Sequence, residues 1–589
     1  IFSIRLFYLQ VIDDTYKLSA QNQALRKVPL YPTRGLIYDR NKQVLVYNEA
    51  AYDLMVIPRK VKNIDTLAFC NLVGITKEKF IEKITKAKKY SRYKPSVFIS
   101  QITADEYYPI EEQLYKYPGF YGEKRLLRKY SYPIAAHVLG YLAEVDNQTI
   151  QNNPYYKKGD YIGKSGLEKQ YEEILRGKKG ISVQVVDVHN RVKEKFKDGK
   201  YDTLPVAGKN ITISIDAQLQ AYGEKLMQNK KGSIVAIEPE TGEILAMVSS
   251  PAYDPNLLSG RHRGNNYMML LRNDSLKPLY NRAILAPYPP GSIFKIIQGL
   301  IALDEGVITP NTGFACNKAL VGCHNHPAPS NLQKAIQFSC NPYFYRVFER
   351  LIQRNPKNSI FEESHKNLDI WRQKVLTFGL GSRLQTDLPV IRSGSVPSSG
   401  YYDKIYGEKR WAFKTIYSLS IGQGEVQVIP LQMANLAAII ANRGWYITPH
   451  FIKSVENSDS IPEIYRRKNY VEVDSSFFPI VIDAMQQVVE APHGTARRAR
   501  IDSITVCGKT GTAQNPHGED HSVFMAFAPK KNPKIAVAVY VENAGFGGTW
   551  AAPIASLMIE KYLRGYITDK EKEKRILEAD LLNVIPDEK

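Results

Sequence analysis

The chain has 589 residues, 44% of them hydrophobic and 23% charged, which excludes a disordered or fibrous protein and, at this length, a single core. Its 79 Lys and Arg against 59 Asp and Glu leave a formal charge of +20, pointing to an anionic neighbour such as a phospholipid surface or an acidic polymer. No zinc-finger spacing, recognition-helix signature or RNA-binding aromatic motif accompanies that charge, so nucleic acid is the least supported of these partners.

Residues 1–12 are mostly apolar, with Arg5 inside the run. A spanning helix needs about 20 apolar residues, and the chain has no initiating Met. The segment therefore reads as the outer end of a truncated, single-pass membrane helix, with a short amphipathic helix packed on its own domain as the alternative. No other run reaches spanning length, which puts everything downstream on one side of the membrane.

Residues 13–215 read as an elongated mixed α+β unit. Pro32 to Arg40 (PTRGLIYDR) is a turn leading into a strand that continues through Val44, Leu45 and Val46. Residues 77–89 have helical spacing, and 181–188 and 210–215 are strand-like. Residues 159–172 form a Gly-rich turn opening a helix. Its Gly163-Lys164-Ser165 superficially suggests a phosphate loop but lacks the full pattern, so it reads as structural.

A second unit spans 216–567. Asp216 is placed to cap a helix over 217–228, and 232–239 with 242–248 form a strand–turn–strand hairpin. Helical patterns dominate 293–440. Strands return at 504–512, 523–528 and 535–542, followed by a helix over 552–562. Strands at both ends with helices between describe an α+β fold: an antiparallel sheet flanked by helices, plus an all-helical subdomain. Residues 568–589 are charged and read as a tail. No internal repeat is visible.

Three fragments carry chemistry. Pro289-Pro290-Gly291 cannot continue a helix, so one is expected to begin at Ser292, where the helix dipole favours developing negative charge. Lys295 then lies one turn up on the same face. Desolvated among Ile293, Phe294 and Ile296, it becomes neutral enough to activate a serine hydroxyl. Ser339-Cys340-Asn341 stands before Pro342 and reads as a loop, with Ser339 a proton carrier and Asn341 an anchor for an amide of the acyl donor. Lys509-Thr510-Gly511-Thr512 has strand character, with glycines on both sides of Lys509 that let another backbone lie alongside an edge. Lys509 and Thr510 suit a terminal carboxylate, and the backbone N–H groups of Ser292 and Thr512 suit an oxyanion. Each pattern is weak alone. Their order and setting point to acyl transfer through a serine ester.

These fragments resemble the S-x-x-K, S-x-N and K-[ST]-G motifs of the penicillin-binding protein and serine β-lactamase superfamily. Residues 232–256, Ser420-Ile421-Gly422-Gln423-Gly424-Glu425 with the helix that follows, and Gly494-Thr495-Ala496 look like the transpeptidase domain of class B penicillin-binding proteins. Arg34 to Arg40 and 159–172 look like their non-catalytic, dimerisation-type pedestal, with the elongation-specific penicillin-binding protein 2 group the most similar. The resemblance implies D,D-transpeptidation of D-Ala-D-Ala stem peptides in peptidoglycan synthesis and acylation of the same serine by β-lactams. It also implies a membrane anchor with the catalytic domain outside the cytoplasmic membrane, and partnership with a SEDS-family glycosyltransferase and elongasome scaffold proteins. No cofactor is required for that catalysis. No glycosyltransferase pattern precedes the transpeptidase region, and no E-x-x-L-N segment lies between Asn341 and Lys509 to speed deacylation. A β-lactam sensor or β-lactamase, the division-specific penicillin-binding protein 3, and an idle scaffold for a glycan polymerase are the alternatives.

Of five cysteines, Cys70 and Cys507 read as core residues. Cys316, Cys323 and Cys340, with His326, offer four ligands for a structural zinc, as in elongation-type relatives that carry a metal beside the active site. A Cys316–Cys323 disulfide and free thiols are the other readings.

Overall fold

The computed structural model describes residues 25–187, 192–355, 357–458, 461–516 and 518–582. The apolar start at 1–12 lies outside them. Among the described residues no helix is long and apolar enough to cross a membrane.

The N-terminal unit is organised by one long strand, Val44–Val56, extending about 40 Å at the usual rise per residue. It pairs antiparallel along Phe120–Tyr130, from Val46 opposite Tyr130 to Val56 opposite Phe120, and on its other side with Ser96–Thr103. At its far end Phe69, Phe80, Phe98, Phe120 and Tyr117 pack edge-to-face into a separate small core under three helices. One of these, Lys77–Tyr90, is where the sequence spacing predicts it. At the near end Ile37–Tyr38 and Ile211–Ile213 extend the sheet, and so does Ile452–Val455. Strands from both sides of residue 216 thus share hydrogen bonds, so the two units meet through a common sheet and a common core.

One polar cluster braces the N-terminal unit and a second ties it across that junction. Arg34 bonds Glu168 and Glu172, each at 2.6 Å, and Arg128 bonds Glu168 at 2.6 Å. Asp387, fully buried, accepts from the Tyr171 hydroxyl and from the backbone N–H groups of Phe451 and Ile452. The Gly163-Lys164-Ser165 turn is structural: Lys164 pairs with Asp146. A Cβ on the next residue, Gly166, would stand 2.3 Å from the Val138 carbonyl oxygen at a φ of +56.

The second unit holds a five-stranded antiparallel sheet in the order Ile244–Ser250, Gly232–Ile237, Ile535–Val541, His521–Ala528, Cys507–Ala513. Every residue of its first three strands is buried, as a sheet covered by helices on both faces requires. Pro430–Ala441 and Ala551–Arg564 supply most of that cover. Asp216 caps the helix Ala217–Leu226 by accepting from Gln218 and Leu219. Helices from Lys295–Asp304 to Phe413–Ile416 build the helical subdomain.

The charged C-terminal stretch is not all tail. Lys570–Glu578 is a helix with Ile576 fully buried, and the Lys230 ammonium donates to the Ile576 and Ala579 carbonyls at its C-terminus. One apolar residue and a borrowed cation dock it, which charge content alone does not reveal. Residues 583–589 lie outside the described ones.

Candidate active site

The nucleophile fragment departs from the expected helix start. Gly291–Phe294 is a 3-10 turn and the α-helix opens at Lys295, so Ser292 rides a tight turn just ahead of it. Gly291 has φ +56, and a Cβ there would lie 2.7 Å from the Thr512 carbonyl oxygen. Its N–H donates to the Gly422 carbonyl at 2.9 Å. Gly422 in turn has φ +69 and no room for a Cβ, 2.4 Å from the Gly291 oxygen. Two glycines thus press the Ser292 turn between the Ser420–Glu425 segment and the Cys507–Ala513 strand.

Lys295 and Lys509 are both fully buried. The Lys295 ammonium donates to the Ser339 carbonyl at 2.7 Å, the Ser339 hydroxyl at 3.2 Å and Asn341 Oδ1 at 2.5 Å. The Lys509 ammonium donates to the same Ser339 hydroxyl at 2.9 Å. Burial pulls Lys295 down to about 8, opposed only by nearby Cys323 and Cys340. Lys509 is held well below the usual lysine range by burial and by the Lys295 charge. Two desolvated amines beside one hydroxyl favour a state with one neutral and one charged.

Ser339 reaches this position through an unusual backbone. It ends the helix Leu332–Phe338 in the left-handed region at φ 56. Its N–H donates to Ile336 and that of Cys340 to Ala335, the Schellman pattern, and the next helix starts at once with Asn341–Ile352. Left-handed backbone in a non-glycine costs about 1 kcal/mol or more. Here it turns both Ser339 oxygens onto Lys295. The Asn341 amide is committed to Lys295 and to the Gly322 carbonyl, 2.6 Å away, so in this geometry it braces the lysine, a role not expected for it.

Lys509 lies on the edge strand, as its glycine flanks imply. Successive strand residues face opposite ways, so Thr510 and Thr512 share a face that Lys509 does not. Thr510 Oγ1 meets Thr495 Oγ1 at 2.7 Å. The threonine side chains thus lie on one face while the Lys509 ammonium stays on Ser339. Gln423 Nε2 donates to the Thr512 carbonyl at 3.1 Å, and a Cβ on Gly547 would fall 2.4 Å from the Gly511 oxygen. Gly422, Gln423, Thr495 and Gly547 thus shape the site. Gly422, Gln423 and Thr495 lie in segments that already carry the resemblance; Gly547 does not, and its signal is the density of glycine in 545–548, which reads as a turn until a partner is known.

Cys316, Cys323, His326 and Cys340 offer ligand atoms all within 4.8 Å of one another. His326 Nδ1 lies 2.7 Å from the Pro327 carbonyl, turning Nε2 to Cys323 at 3.2 Å and Cys316 at 3.6 Å. That arrangement is the one a zinc-bound histidine uses, so these residues fit such an ion. No disulfide joins any of the five cysteines, and Cys70 and Cys507 are core residues, as expected. Cys323 Sγ also accepts from the Asn341 N–H at 3.4 Å, tying the cluster to the Lys295 brace.

Residues 232–560 match the family described as penicillin binding protein transpeptidase domain, and 29–213 match penicillin-binding protein dimerisation domain. The chain is 32% identical to peptidoglycan D,D-transpeptidase MrdA of Haemophilus influenzae over 96% of its own length and 90% of that protein. It is 30% identical to MrdA of Escherichia coli K12 over 92% and 88% respectively. The penicillin-binding protein PBP2 of Helicobacter pylori, solved in complex with MreC, superposes with a TM-score of 0.72 at 27% identity, covering 92% of this chain and 100% of that one.

Proposed function

This chain belongs to the class B penicillin-binding protein transpeptidases of the elongation-specific group, and from that premise we propose that it crosslinks peptidoglycan through an acyl-enzyme on Ser292. The observation that carries the residue roles is the meeting of Lys295, Ser339 and Lys509 at one hydroxyl oxygen.

Neutral Lys295 takes the Ser292 proton while Oγ attacks the carbonyl carbon of the penultimate D-Ala. The backbone N–H groups of Ser292 and Thr512 receive the oxyanion. The proton passes through Ser339 to the nitrogen of the terminal D-Ala, the C–N bond breaks, and D-alanine departs with its hydrogen complement restored. An amine from a second stem then attacks the ester. It yields its proton back along the same path, and the C–O bond breaks as the new amide forms. Thr510, Thr512 and Thr495 present hydroxyls to the substrate's terminal carboxylate, with Lys509 adding positive field and Gly511 leaving room for the peptide backbone.

A β-lactam acylates the same serine in this reading. Replacing Ser292 with Ala abolishes covalent labelling by a fluorescent penicillin; an unlabelled wild type would defeat the proposal and favour an idle scaffold. Turnover of the labelled complex within seconds would favour a β-lactamase, and filamentation on depletion, in place of rounding, would favour a division role.

Cys316, Cys323, His326 and Cys340 would hold a zinc ion in a closed, structural role, since four protein ligands leave no open position. Elemental analysis finding no stoichiometric zinc removes that part. The complex of the Helicobacter pylori neighbour with MreC supports a scaffold partner of that kind, and the family resemblance implies a SEDS-family glycosyltransferase and a single membrane anchor. Co-purification from solubilised membranes tests both.

A further inference from the structure

The carboxylate face of the edge strand does not end at Thr495. Two residues on, Arg497–Ala499 forms a short turn that walls a cleft of about 480 Å³ against the C-terminal helix. One loop touches both the site and a residue of this lining. Gly547 abuts Gly511, a Cβ on Gly548 would lie 2.5 Å from the Thr495 carbonyl oxygen, and the Thr549 carbonyl accepts from Arg575 at 2.9 Å. Arg575 lies over the Trp550 ring, 4.9 Å from its centroid.

The charges of this cleft are unequally paired. Glu560 is bonded to Arg564 and Thr568. Asp569 caps the C-terminal helix and pairs with Lys572, and Asp502 lies 3.7 Å from Arg500. Glu571 is the one lining carboxylate outside these pairs. Among the described residues Arg497, Arg498 and Arg575 have no carboxylate partner. The Arg575 guanidinium is pressed downward by burial and by the neighbouring Arg498 charge. Paired guanidinium forks are suited to carboxylates, which they bind through two parallel hydrogen bonds.

The reaction indicates which carboxylate. The amine that resolves the ester attacks from the side where the D-Ala nitrogen left, because forward and reverse aminolysis share one path. D-Ala leaves over the Thr510–Thr512 face, so the acceptor arrives past that face, and the 547–549 loop leads from there to Arg575 at the arginine cleft. We propose that Arg498 and Arg575 bind a carboxylate of the acyl-acceptor stem peptide and so guide its amine to the Ser292 ester. This inference rests on the transpeptidase reading above.

The test uses the purified full chain, a thioester donor, and one synthetic stem tripeptide as acceptor with its carboxylates either free or amidated. Labelling by fluorescent penicillin, which needs no acceptor, counts the active sites of each variant. Per labelled site, Arg498→Glu lowers amide formation with the free-carboxylate acceptor about tenfold, the size of one charge-assisted contact. It also removes the preference of the free over the amidated peptide, and Arg498→Lys keeps most of that preference. Arg575→Glu acts in the same direction but disturbs the Trp550 contact, so Arg498, which has no partner to lose, decides the matter. Equal discrimination between the two acceptors in wild type and Arg498→Glu overturns the proposal. An unlabelled wild type instead defeats the transpeptidase reading beneath it.

Discussion

The Lys509 ammonium donates to the Ser339 hydroxyl at 2.9 Å across 170 residues of sequence, and Lys295 donates to that same oxygen from the other side. Two buried amines share one small hydroxyl, and the proton path proposed above runs through that cluster. Its weakest member is the hydroxyl, because neither lysine has another side-chain oxygen in common.

Replacing Ser339 with Ala therefore leaves Lys509, among the described residues, with only the Thr510 carbonyl as an acceptor and cuts the path to the leaving nitrogen. The second-order rate of acylation by fluorescent penicillin falls about a hundredfold or more, the usual share of a positioned proton carrier, while circular dichroism stays unchanged. A loss below about threefold would show that Lys295 serves both transfers unaided.

Gly422→Ala acts on the nucleophile from a distance. The added methyl meets the Gly291 oxygen and Phe294 Cβ, at 2.4 and 2.7 Å, at a φ that L residues rarely adopt. A cost of about 1–3 kcal/mol follows, with displacement of the Ser292 turn. Penicillin labelling slows more than thermal stability drops, and a variant that labels at the wild-type rate argues against coupling between these two turns.

The junction between the units turns on Asp387. Asp387→Ala strands two backbone N–H groups and the Tyr171 hydroxyl in the interior, and unfolding free energy falls by about 3 kcal/mol or more. Tyr171→Phe removes a single hydrogen bond and costs about 1 kcal/mol. Denaturant melts of the two variants compare them directly, and equal losses would place the stabilisation in Tyr171 packing alone.

His137 joins the units through Nε2, 2.7 Å from the Pro278 carbonyl, with its ring edge-on to Tyr253. Burial lowers it to about 4, below the unfolded value near 6.5. Between those limits the unfolded chain binds the extra proton, so stability present at neutral pH is lost as pH falls from about 6.5 towards 4. His137→Gln keeps a donor without titrating. Its melting temperature, lower or equal at pH 7, declines less than that of the wild type by pH 5; parallel declines would assign the acid sensitivity elsewhere.

The sheet and its helices were legible because their signals are local. Asp216 announces its cap, the 232–248 hairpin alternates around a turn, and each later strand is a short apolar run. The three motifs were legible because serine, lysine and asparagine in that order have few other uses together. Less legible was what depends on a distant neighbour. The helix expected at Ser292 begins at Lys295, because Gly291 is bent by Gly422 and Thr512. The charged stretch after 568 folds back as a helix, because Lys230 supplies three donors to its end and to Gln228. Asn341, expected on the substrate, also bonds Lys295 and Gly322.

By itself the sequence determined the chemical inventory: an activatable serine, two lysines, a hydroxyl between them, a strand edge made bare by glycine, and four potential metal ligands near Asn341. Residue type and short-range periodicity are properties of the chain, and they survive without any fold. Tertiary structure alone decided the protonation logic and the neighbourhood. Burial lowers Lys295 and Lys509, with the Lys295 charge lowering Lys509 further; only the left-handed turn at Ser339 joins them, and only the docking of the C-terminal helix faces Arg575 towards Arg498. Desolvation and charge proximity scale with distances in space, which separations along the chain do not specify.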